Sequence, residues 1–480
     1  MEHQRKLFQQ RGYSEDLLPK TQSQRTWKTF NYFTLWMGSV HNVPNYVMVG
    51  GFFILGLSTF SIMLAIIISA FFIAAVMVLN GAAGSKYGVP FAMILRASYG
   101  VRGALFPGLL RGGIAAIMWF GLQCYAGSLA CLILIGKIWP GFLTLGGDFT
   151  LLGLSLPGLI TFLLFWLVNV GIGFGGGKVL NKFTAILNPC IYVVFGGMAI
   201  WAISLVGLGP IFDYIPSGIQ KAENSGFLFL VVINAVVAVW AAPAGSASDF
   251  TQNAHSFREQ TLGLVVAYIL FAVAGVCIIA GASIHYGADT WNVLDIVQRW
   301  DSLFASFFAV LVILMTTIST NATGNIIPAG YQIAAIAPTK LTYKNGVLIA
   351  SIISLLICPW KLMENQDSIY LFLDIIGGML GPVIGVMMAH YFVVMRGQIN
   401  LDELYTAPGD YKYYDNGFNL TAFSVTLVAV ILSLGGKFIP FMEPLSRVSW
   451  FVGVIVAFAA YALLKKRTTA EKTGEQKVTG

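Results

Sequence analysis

Aromatic and amide side chains within long apolar segments are the residues of this chain whose types and spacing could bind a small solute. Trp119 and Gln123 lie four residues apart, and therefore on one face of a helix. An indole offers a flat surface for stacking, and a glutamine amide offers one acceptor and two donors. Trp240, in another apolar segment, adds a second aromatic plane. Together they could hold a flat ring with amide-like edges, whereas ordinary helix packing would account for each residue taken alone.

A run of polar residues at 315–325, M-T-T-I-S-T-N-A-T-G-N, could bind a cation. Hydroxyl and backbone carbonyl oxygens suit a hard monovalent ion, and no carboxylate is needed where an unwound helix adds its carbonyls. Hydrogen bonds between helices are the alternative, but the run is denser than packing usually needs. Its polar members are Thr316, Thr317, Ser319, Thr320, Asn321, Thr323 and Asn325.

Three ionisable residues fall within or beside apolar segments, where such groups are functional candidates. His41 and Asp374 could carry a proton, although a neutral hydrogen-bonded histidine and a paired aspartate are equally ordinary. Asp249 is expected to cap a helix or to meet a basic residue.

Apolar segments of membrane-spanning length must position these residues. The 480 residues are 57% hydrophobic and 10% charged, whereas soluble proteins carry roughly 25% charged residues. Backbone polar groups in lipid need partners within their own segment, which requires helices. The sequence therefore predicts an all-α polytopic membrane protein. The twelve predicted transmembrane helices are about 30–56, 59–81, 105–135, 157–176, 181–206, 226–250, 261–285, 303–325, 346–363, 368–395, 418–440 and 447–465.

The distribution of basic residues predicts that both termini face the cytoplasm of a bacterial inner membrane. An even number of spans places both termini on one side, and 22 of the 28 Lys and Arg residues fall there. The other six are Lys137, Lys221, Arg299, Lys361, Lys437 and Arg447. The cytoplasmic tails at 1–28 and 466–480 are polar and expected to be mobile. The segment 84–104 is expected to hold a short helix at the membrane interface.

Two of the predicted spans contain a proline and polar residues in their middle. The first reads L-W-M-G-S-V-H-N-V-P-N-Y around Pro44, and the sixth reads A-V-W-A-A-P-A-G-S-A-S-D around Pro243. A proline removes a backbone donor and breaks the helix. Interruptions at matching positions of two halves indicate an inverted repeat with a central binding site. We therefore predict two five-helix repeats, at 29–206 and 226–395, followed by helices 11 and 12 at 418–465.

Other classes of function are disfavoured. The net charge of +7 resides at helix ends and tails rather than in a patch interleaved with aromatics, which disfavours nucleic-acid binding. The stretch G-I-G-F-G-G-G-K at 171–178 lacks the Ser or Thr of a phosphate loop and does not follow a strand. The five cysteines show no disulfide or metal spacing, and no nucleophile–base set indicates an enzyme. We expect no cofactor, no metal beyond a coupling ion, and a monomer in the lipid bilayer.

Several motifs give the chain a resemblance to the nucleobase:cation symporter-1 family over residues 25–465. They are P-F-A-M-I-L-R-A-S-Y-G-V-R-G-A at 90–104, W-F-G-L-Q at 119–123, S-T-N-A-T-G-N at 319–325 and G-P-V-I-G at 381–385. The resemblance implies a five-plus-five inverted-repeat fold with two additional helices. It also implies that a cation, Na+ or H+, drives the transport of a small solute.

The resemblance further implies residue roles in a substrate site. The family's hydantoin permease holds its ring between two tryptophans and contacts it with amides. The matching residues here are Trp119, Trp240, Gln123 and Asn325. Asn42 replaces a longer amide, which fits a different or bulkier ligand. At Val239, which replaces a glycine, only the backbone carbonyl could contact the substrate.

A sodium site is implied as well. Its backbone carbonyls match Gly38, His41 and Thr316, and its hydroxyls match Ser319 and Thr320. Both hydroxyls are present in this chain. His41 replaces an apolar residue of the family, so a proton could be the coupling ion instead.

The substrate implied by the resemblance is allantoin, a neutral hydantoin ring with a ureido arm, carried by alternating access between the two repeats. Its flat shape and its amide donors and acceptors match two aromatic planes with amide side chains between them. A nucleobase such as cytosine, uracil or a purine is the alternative substrate. A passive channel would need a continuous polar lining instead of broken helices.

Overall fold

The computed structural model describes residues 2–287, 289, 292–363, 366–406 and 415–478, without the side chains of 263–265, 366–370, 373–374, 415 and 466–478. Helices dominate the described residues. The first half of the chain forms α1 (Glu2–Gln10), α2 (Thr29–Val40), α3 (Val43–Phe52), α4 (Thr59–Asn80), α5 (Ala82–Tyr87), α6 (Phe91–Tyr99), α7 (Leu105–Gly108), α8 (Ala116–Ile138), α9 (Leu156–Ile191), α10 (Gly197–Val206) and α11 (Leu208–Asp213). An antiparallel pair, β1 (Thr150–Leu151) and β2 (Leu154–Ser155), joins α8 to α9.

The second half of the chain is also mainly helical. Its helices are α12 (Ser225–Val239), α13 (Ala241–Gly245), α14 (Ser248–Thr251), α15 (Thr261–Tyr286), α16 (Val293–Gln298), α17 (Leu303–Asn321), α18 (Ile327–Ile336), α19 (Tyr343–Leu356), α20 (Pro359–Met363), α21 (Gln366–Met388), α22 (Leu401–Leu404), α23 (Leu420–Leu434), α24 (Glu443–Arg447) and α25 (Ser449–Val478). Short π-helical segments continue several helices, at Leu109–Ala115, Tyr192–Gly196, Ala322–Ile326 and Ala389–Val394.

Long apolar helices establish the membrane class. Among the described residues, seven helical stretches are long and apolar enough to cross a membrane, or eight if α24 and α25, bent by 89°, form one span. One stretch, Leu156–Val206, has a non-helical residue at Gly176 (φ 58°, ψ −158°). It therefore covers two of the predicted spans. The all-α polytopic class is confirmed, whereas the count of twelve spans and the repeat boundaries stay predictions.

Burial separates central helices from peripheral ones. In the most apolar part of α15, and in that of α21 with its π segment, 78% of the residues are buried inside the protein. In the most apolar part of Leu156–Val206, 33% are buried. The peripheral helices expose large apolar side chains such as Ile200, Leu356 and Phe304. In a membrane protein such side chains face lipid rather than water.

The N-terminal segment, residues 2–28, packs against the helices. Phe8 is fully buried and stacks on Tyr405, with ring centroids 4.4 Å apart. Arg11 donates a hydrogen bond to the Tyr405 carbonyl at 2.6 Å, and the Lys20 N–H donates to the Gly88 carbonyl at 2.8 Å. The expectation of a mobile N-terminal tail is therefore wrong, because its apolar residues find partners on the folded body.

The helix predicted within 84–104 is present as α6 and is covered by other parts of the protein, while its position at the membrane interface stays a prediction. All of its residues are buried. Its Arg96 donates to the Tyr13 hydroxyl at 2.6 Å and to the Leu404 carbonyl at 2.8 Å. The Asp249 carboxylate caps it by accepting the Phe91 N–H at 2.9 Å, as expected of Asp249. The burial of α6 arises mainly from its packing against α18, α22 and α23.

Candidate substrate and cation sites

The first predicted break lies between α2 and α3. Pro44 has no N–H to donate to the carbonyl of Val40 four residues earlier. The Asn45 side chain replaces that donor, with Nδ2 at 2.8 Å from the Val40 oxygen. The Asn42 side chain accepts the Asn45 N–H at 3.1 Å and donates to the Ser39 carbonyl at 2.9 Å. The asparagines therefore stabilise the break itself, and both polar ends of the Asn42 amide are already bonded.

The second predicted break lies at Trp240, between α12 and α13, where the backbone has φ −95° and ψ 4°. Pro243 cannot donate to the carbonyl of Val239, so this oxygen lacks its regular helical donor. The same spacing recurs at Pro328, which cannot donate to the carbonyl of Gly324. Pro44, Pro243 and Pro328 thus each deprive the carbonyl four residues earlier of its regular helical donor.

The two breaks border one small cavity. All six residues predicted to contact substrate line it. The full lining comprises Ser39, Asn42, Pro44, Asn45, Trp119, Gln123, Val239, Trp240, Ala242, Pro243, Thr320, Gly324 and Asn325. Contact of these residues with substrate stays a prediction, but the fold brings them to one place.

The two tryptophans differ in their freedom to meet a ligand. Trp240 is buried, and its ring is held edge-on by Tyr268 at 5.1 Å and Trp36 at 6.1 Å between centroids. Trp119 is half-buried and contacts Phe372 at 6.2 Å. One indole is therefore fixed by its neighbours, while the other borders open space.

Among the amides on the cavity, Gln123 retains a free acceptor. Its side chain is 3% exposed, and Oε1 accepts no hydrogen bond from the described residues. Asn325 already donates from Nδ2 to Asn321 Oδ1 at 2.8 Å, and Asn321 donates to Asn169 Oδ1 at 3.1 Å. A buried acceptor without a donor costs about 1–3 kcal/mol. Gln123 is therefore the amide best prepared to accept an N–H from a ligand.

A second cavity adjoins the first and has an empty volume of about 870 Å³. The two share Pro44, Asn45, Trp119 and Val239. Its other lining residues are mainly apolar: Val43, Val47, Met48, Leu122, Ala126, Leu129, Asn292, Leu294 and Met363. Because three of these belong to the connections after α15 and before α21, the second cavity leads away from the N-terminal segment.

Residues predicted to bind a cation meet between α2 and α17. A Cβ placed on Gly38 would lie 2.7 Å from Ser319 Oγ, so the two residues approach closely. The Ser319 hydroxyl is buried and has no hydrogen-bond partner in the part of the chain that the structure describes. Thr320 Oγ1 lies 2.8 Å from the Ser39 carbonyl and 2.9 Å from the Thr316 carbonyl, and its single proton can be donated to either. These oxygens suit a hard monovalent cation, whose binding stays a prediction.

Of the two residues predicted to carry a proton, His41 lies away from the substrate cavity, and the side chain of Asp374 lies outside the described residues. The His41 ring stacks on Phe195 at 4.7 Å and meets Phe271 edge-on at 5.6 Å, and its Nδ1 lies 2.9 Å from the Tyr46 hydroxyl. The imidazole therefore faces an aromatic cluster. Asp374 belongs to α21, and its side chain lies outside the described residues. A proton-linked role of either residue stays a prediction.

Sequence reasoning missed several residues of this region. The sequence marks Asn45 only as one polar residue of the first break, although an amide beside a proline is suited to bond the carbonyl that the proline cannot. Arg111 received no role, yet its guanidinium donates to the carbonyls of Ala242 at 2.6 Å and Gly324 at 2.7 Å. The available signal was an arginine at the start of an apolar span, where charge is costly.

Known proteins are similar to this chain in sequence and in fold. Residues 19–453 match the family described as permeases for cytosine/purines, uracil, thiamine and allantoin. The chain is 97% identical to the "Putative allantoin permease" of Escherichia coli (strain K12), over 100% of both chains. It is 39% identical to the "Allantoin permease" of Bacillus subtilis (strain 168), over 94% of this chain and 93% of that one.

A solved structure has the same fold. It is that of Mhp1, described as a nucleobase-cation-symport-1 family transporter in a closed conformation with bromovinylhydantoin bound. The match covers 96% of each chain with a TM-score of 0.75 and 23% sequence identity. At that identity the likeness establishes the shared helical architecture.

Proposed function

The chain belongs to the family of permeases for cytosine/purines, uracil, thiamine and allantoin, and on this premise we propose that it imports allantoin by alternating access. Allantoin permeases that are 97% and 39% identical support this substrate. The observation that carries the proposal is the meeting of two indoles and an unbonded amide acceptor on one cavity between two broken helices. The protein is therefore a membrane transporter rather than an enzyme.

The chemistry of the cavity suits a neutral, flat, amide-rich solute. None of the residues that line it carries a charged side chain, so an uncharged ligand leaves no ion unpaired. The faces of the ring can stack on Trp119 and Trp240. Its N–H groups can donate to Gln123 Oε1, which accepts no hydrogen bond from the described residues, and to the carbonyl of Val239, which lacks its regular helical donor.

The transport cycle follows from the position of this cavity between helix breaks. Substrate shifts the conformational equilibrium only if it binds one state more tightly than another, and stacking plus amide contacts supply that difference. In this proposal the protein is a monomer in the bacterial inner membrane with both termini in the cytoplasm. The second cavity then leads toward the periplasm, and the N-terminal segment covers the cytoplasmic side.

Coupling to a cation is part of the proposal. The unbonded hydroxyl of Ser319 beside Gly38 supports Na+ as the coupling ion. Uptake into vesicles under separately imposed sodium and proton gradients tests it. Stimulation by a proton gradient alone would assign the coupling to protons instead.

The substrate site is tested by uptake of labelled allantoin into membrane vesicles that contain Trp119→Ala or Gln123→Leu. Loss of a stacking plane or of a buried hydrogen-bond acceptor should raise the KM roughly tenfold or more. Trp166→Ala is the matched control, since the Trp166 indole donates to the Ser351 carbonyl at 3.1 Å and does not line the cavity.

Two results would contradict the proposal. Uptake with an unchanged KM in both cavity variants would place the substrate elsewhere. Unlabelled uracil, cytosine or a purine competing better than allantoin would make the protein a nucleobase symporter, which the family description also covers.

A further inference from the structure

Arg111 is fully buried beside the substrate cavity, in the π-helical segment Leu109–Ala115. Its Nε donates to the Ala242 carbonyl at 2.6 Å and to Ser246 Oγ at 3.0 Å, and its Nη2 donates to the Gly324 carbonyl at 2.7 Å. Burying a guanidinium is costly even when it is hydrogen-bonded. A charged residue retained at such a position calls for a functional explanation.

Both carbonyls belong to interrupted helices that line the cavity. Ala242 follows the break of span six, and Gly324 lies in the π-helical segment of span eight. Because Pro328 has no N–H, the Gly324 carbonyl lacks its i+4 donor, and Arg111 donates to this oxygen. One side chain from span three therefore joins the interrupted parts of spans six and eight.

The region around Arg111 is polar, buried and closed. Asp249 follows Ser246 by one turn, with its N–H donating to the Ser246 carbonyl at 2.9 Å. Asp249 Oδ2, Arg111 Nη1 and Thr323 Oγ1 are all buried without a partner among the described residues. Close packing seals the region further, since a Cβ on Gly112 would lie 2.3 Å from the Cβ of Gln332. Buried polar atoms of this kind are normally satisfied by water, which an open state would admit.

The closure is one-sided. Asp249 caps α6, whose Arg96 donates to Tyr13 of the N-terminal segment, so the polar region lies between the substrate cavity and that segment. On the other side the substrate cavity continues into the second cavity. The contacts of Arg111 therefore belong to a state that is shut toward the N-terminal segment.

We propose that Arg111 is a positioning residue that holds the cytoplasmic side of the cavity closed, and that this side opens when the guanidinium leaves the carbonyls of Ala242 and Gly324. The inference rests on the proposed transport function. Once water enters, the unbonded atoms of Asp249 and Thr323 line the route by which an amide-rich substrate leaves. Arg111 then acts on transport through the conformational equilibrium, without touching the substrate.

Weakening this contact should shift the population toward the state open to the cytoplasm. Arg111→Lys retains the charge but loses the fork that reaches both carbonyls, and a shift of roughly tenfold is expected. The KM for allantoin presented from the periplasmic side should rise by that factor, while the KM from the cytoplasmic side should not rise. A purely structural defect would impair both sides alike.

A cysteine reporter tests the opening without substrate. Thr323→Cys replaces a hydroxyl that makes no hydrogen bond to the described residues, and its alkylation by a maleimide is measured in inside-out vesicles. Parent protein with Thr323 intact gives the background from native cysteines. Combining the reporter with Arg111→Lys should raise the alkylation rate roughly tenfold, and Ser246→Ala, which removes one acceptor, should raise it less.

Lys137→Gln is the control, because Lys137 lies at the other end of the same span and donates to the Trp300 carbonyl at 3.0 Å and to Ser306 Oγ at 2.9 Å. An unchanged alkylation rate in both Arg111→Lys and Ser246→Ala would overturn the proposal, as would an equal rise in Lys137→Gln. Absence of allantoin uptake by the parent protein would instead refute the transport function, and the alkylation result would still decide the role of Arg111.

Discussion

Replacing Gly38 by alanine tests the cation site with a minimal change. The added Cβ would lie 2.7 Å from Ser319 Oγ, inside the distance that such atoms tolerate, and 3.4 Å from Leu187 Cδ2. The hydroxyl is the end of a side chain that can rotate, whereas the leucine contact is already acceptable. The clash is therefore relieved by rotation of the Ser319 side chain, which moves its oxygen away from the first broken helix.

The expected energy of the rotamer change distinguishes an effect on protein stability from an effect on ion binding. A rotamer change of this kind costs about 1 kcal/mol, so the free energy of unfolding should change little. The cation would lose one oxygen ligand, and sodium stimulation of allantoin uptake should fall to the level of Ser319→Ala. Gly171→Ala is the control, since no atom lies within 4 Å of its added Cβ.

The assay is the initial rate of uptake as a function of sodium concentration, together with thermal unfolding in detergent. Sodium stimulation preserved in both Gly38→Ala and Ser319→Ala would show that no cation binds between these residues. A large loss of thermal stability in Gly38→Ala would show that the backbone, rather than the hydroxyl, yields to the added methyl.

Three further predictions concern other parts of the protein. Pro243→Ala restores an N–H to the Val239 carbonyl, and the KM for allantoin should rise roughly tenfold with no loss of thermal stability. Phe8→Ala should detach the N-terminal segment, because truncating a buried phenylalanine costs about 3–5 kcal/mol, and trypsin should then cleave faster at Arg11. Hydrogen bonds from Thr29 hold the pKa of Glu259 below its usual range. Their stabilisation is therefore present at neutral pH and is lost as the pH falls through that lowered pKa, so the difference in melting temperature between the parent and Glu259→Gln should vanish in acid.

The sequence predicts the membrane class and both helix breaks because the signals are local. Apolar length and the positions of Pro44 and Pro243 follow directly from covalent chemistry. That Trp119 and Trp240 share a cavity could be inferred only from the resemblance, since their separation along the chain contains no distance information.

Other features depend on tertiary contacts that no local pattern encodes. The N-terminal segment reads as a polar tail, yet Phe8 and Leu17 are fully buried against the helices. Arg111 reads as one more basic residue at a helix end, and only its contact with Gly324 distinguishes it. The His41 side chain faces aromatic rings because the break turns it away from the cavity.

The prolines of spans one, six and eight give this protein acceptors that belong to the main chain. No side-chain substitution deletes a carbonyl, so the groups that receive hydrogen bonds at the centre of the molecule are invariant to most mutations. What varies is the donor: an asparagine bonds one of these carbonyls and an arginine another, while the carbonyl of Val239 lacks its regular helical donor. Substitutions that add or remove hydrogen-bond donors near these carbonyls can therefore change the selectivity of the protein while the backbone stays unchanged.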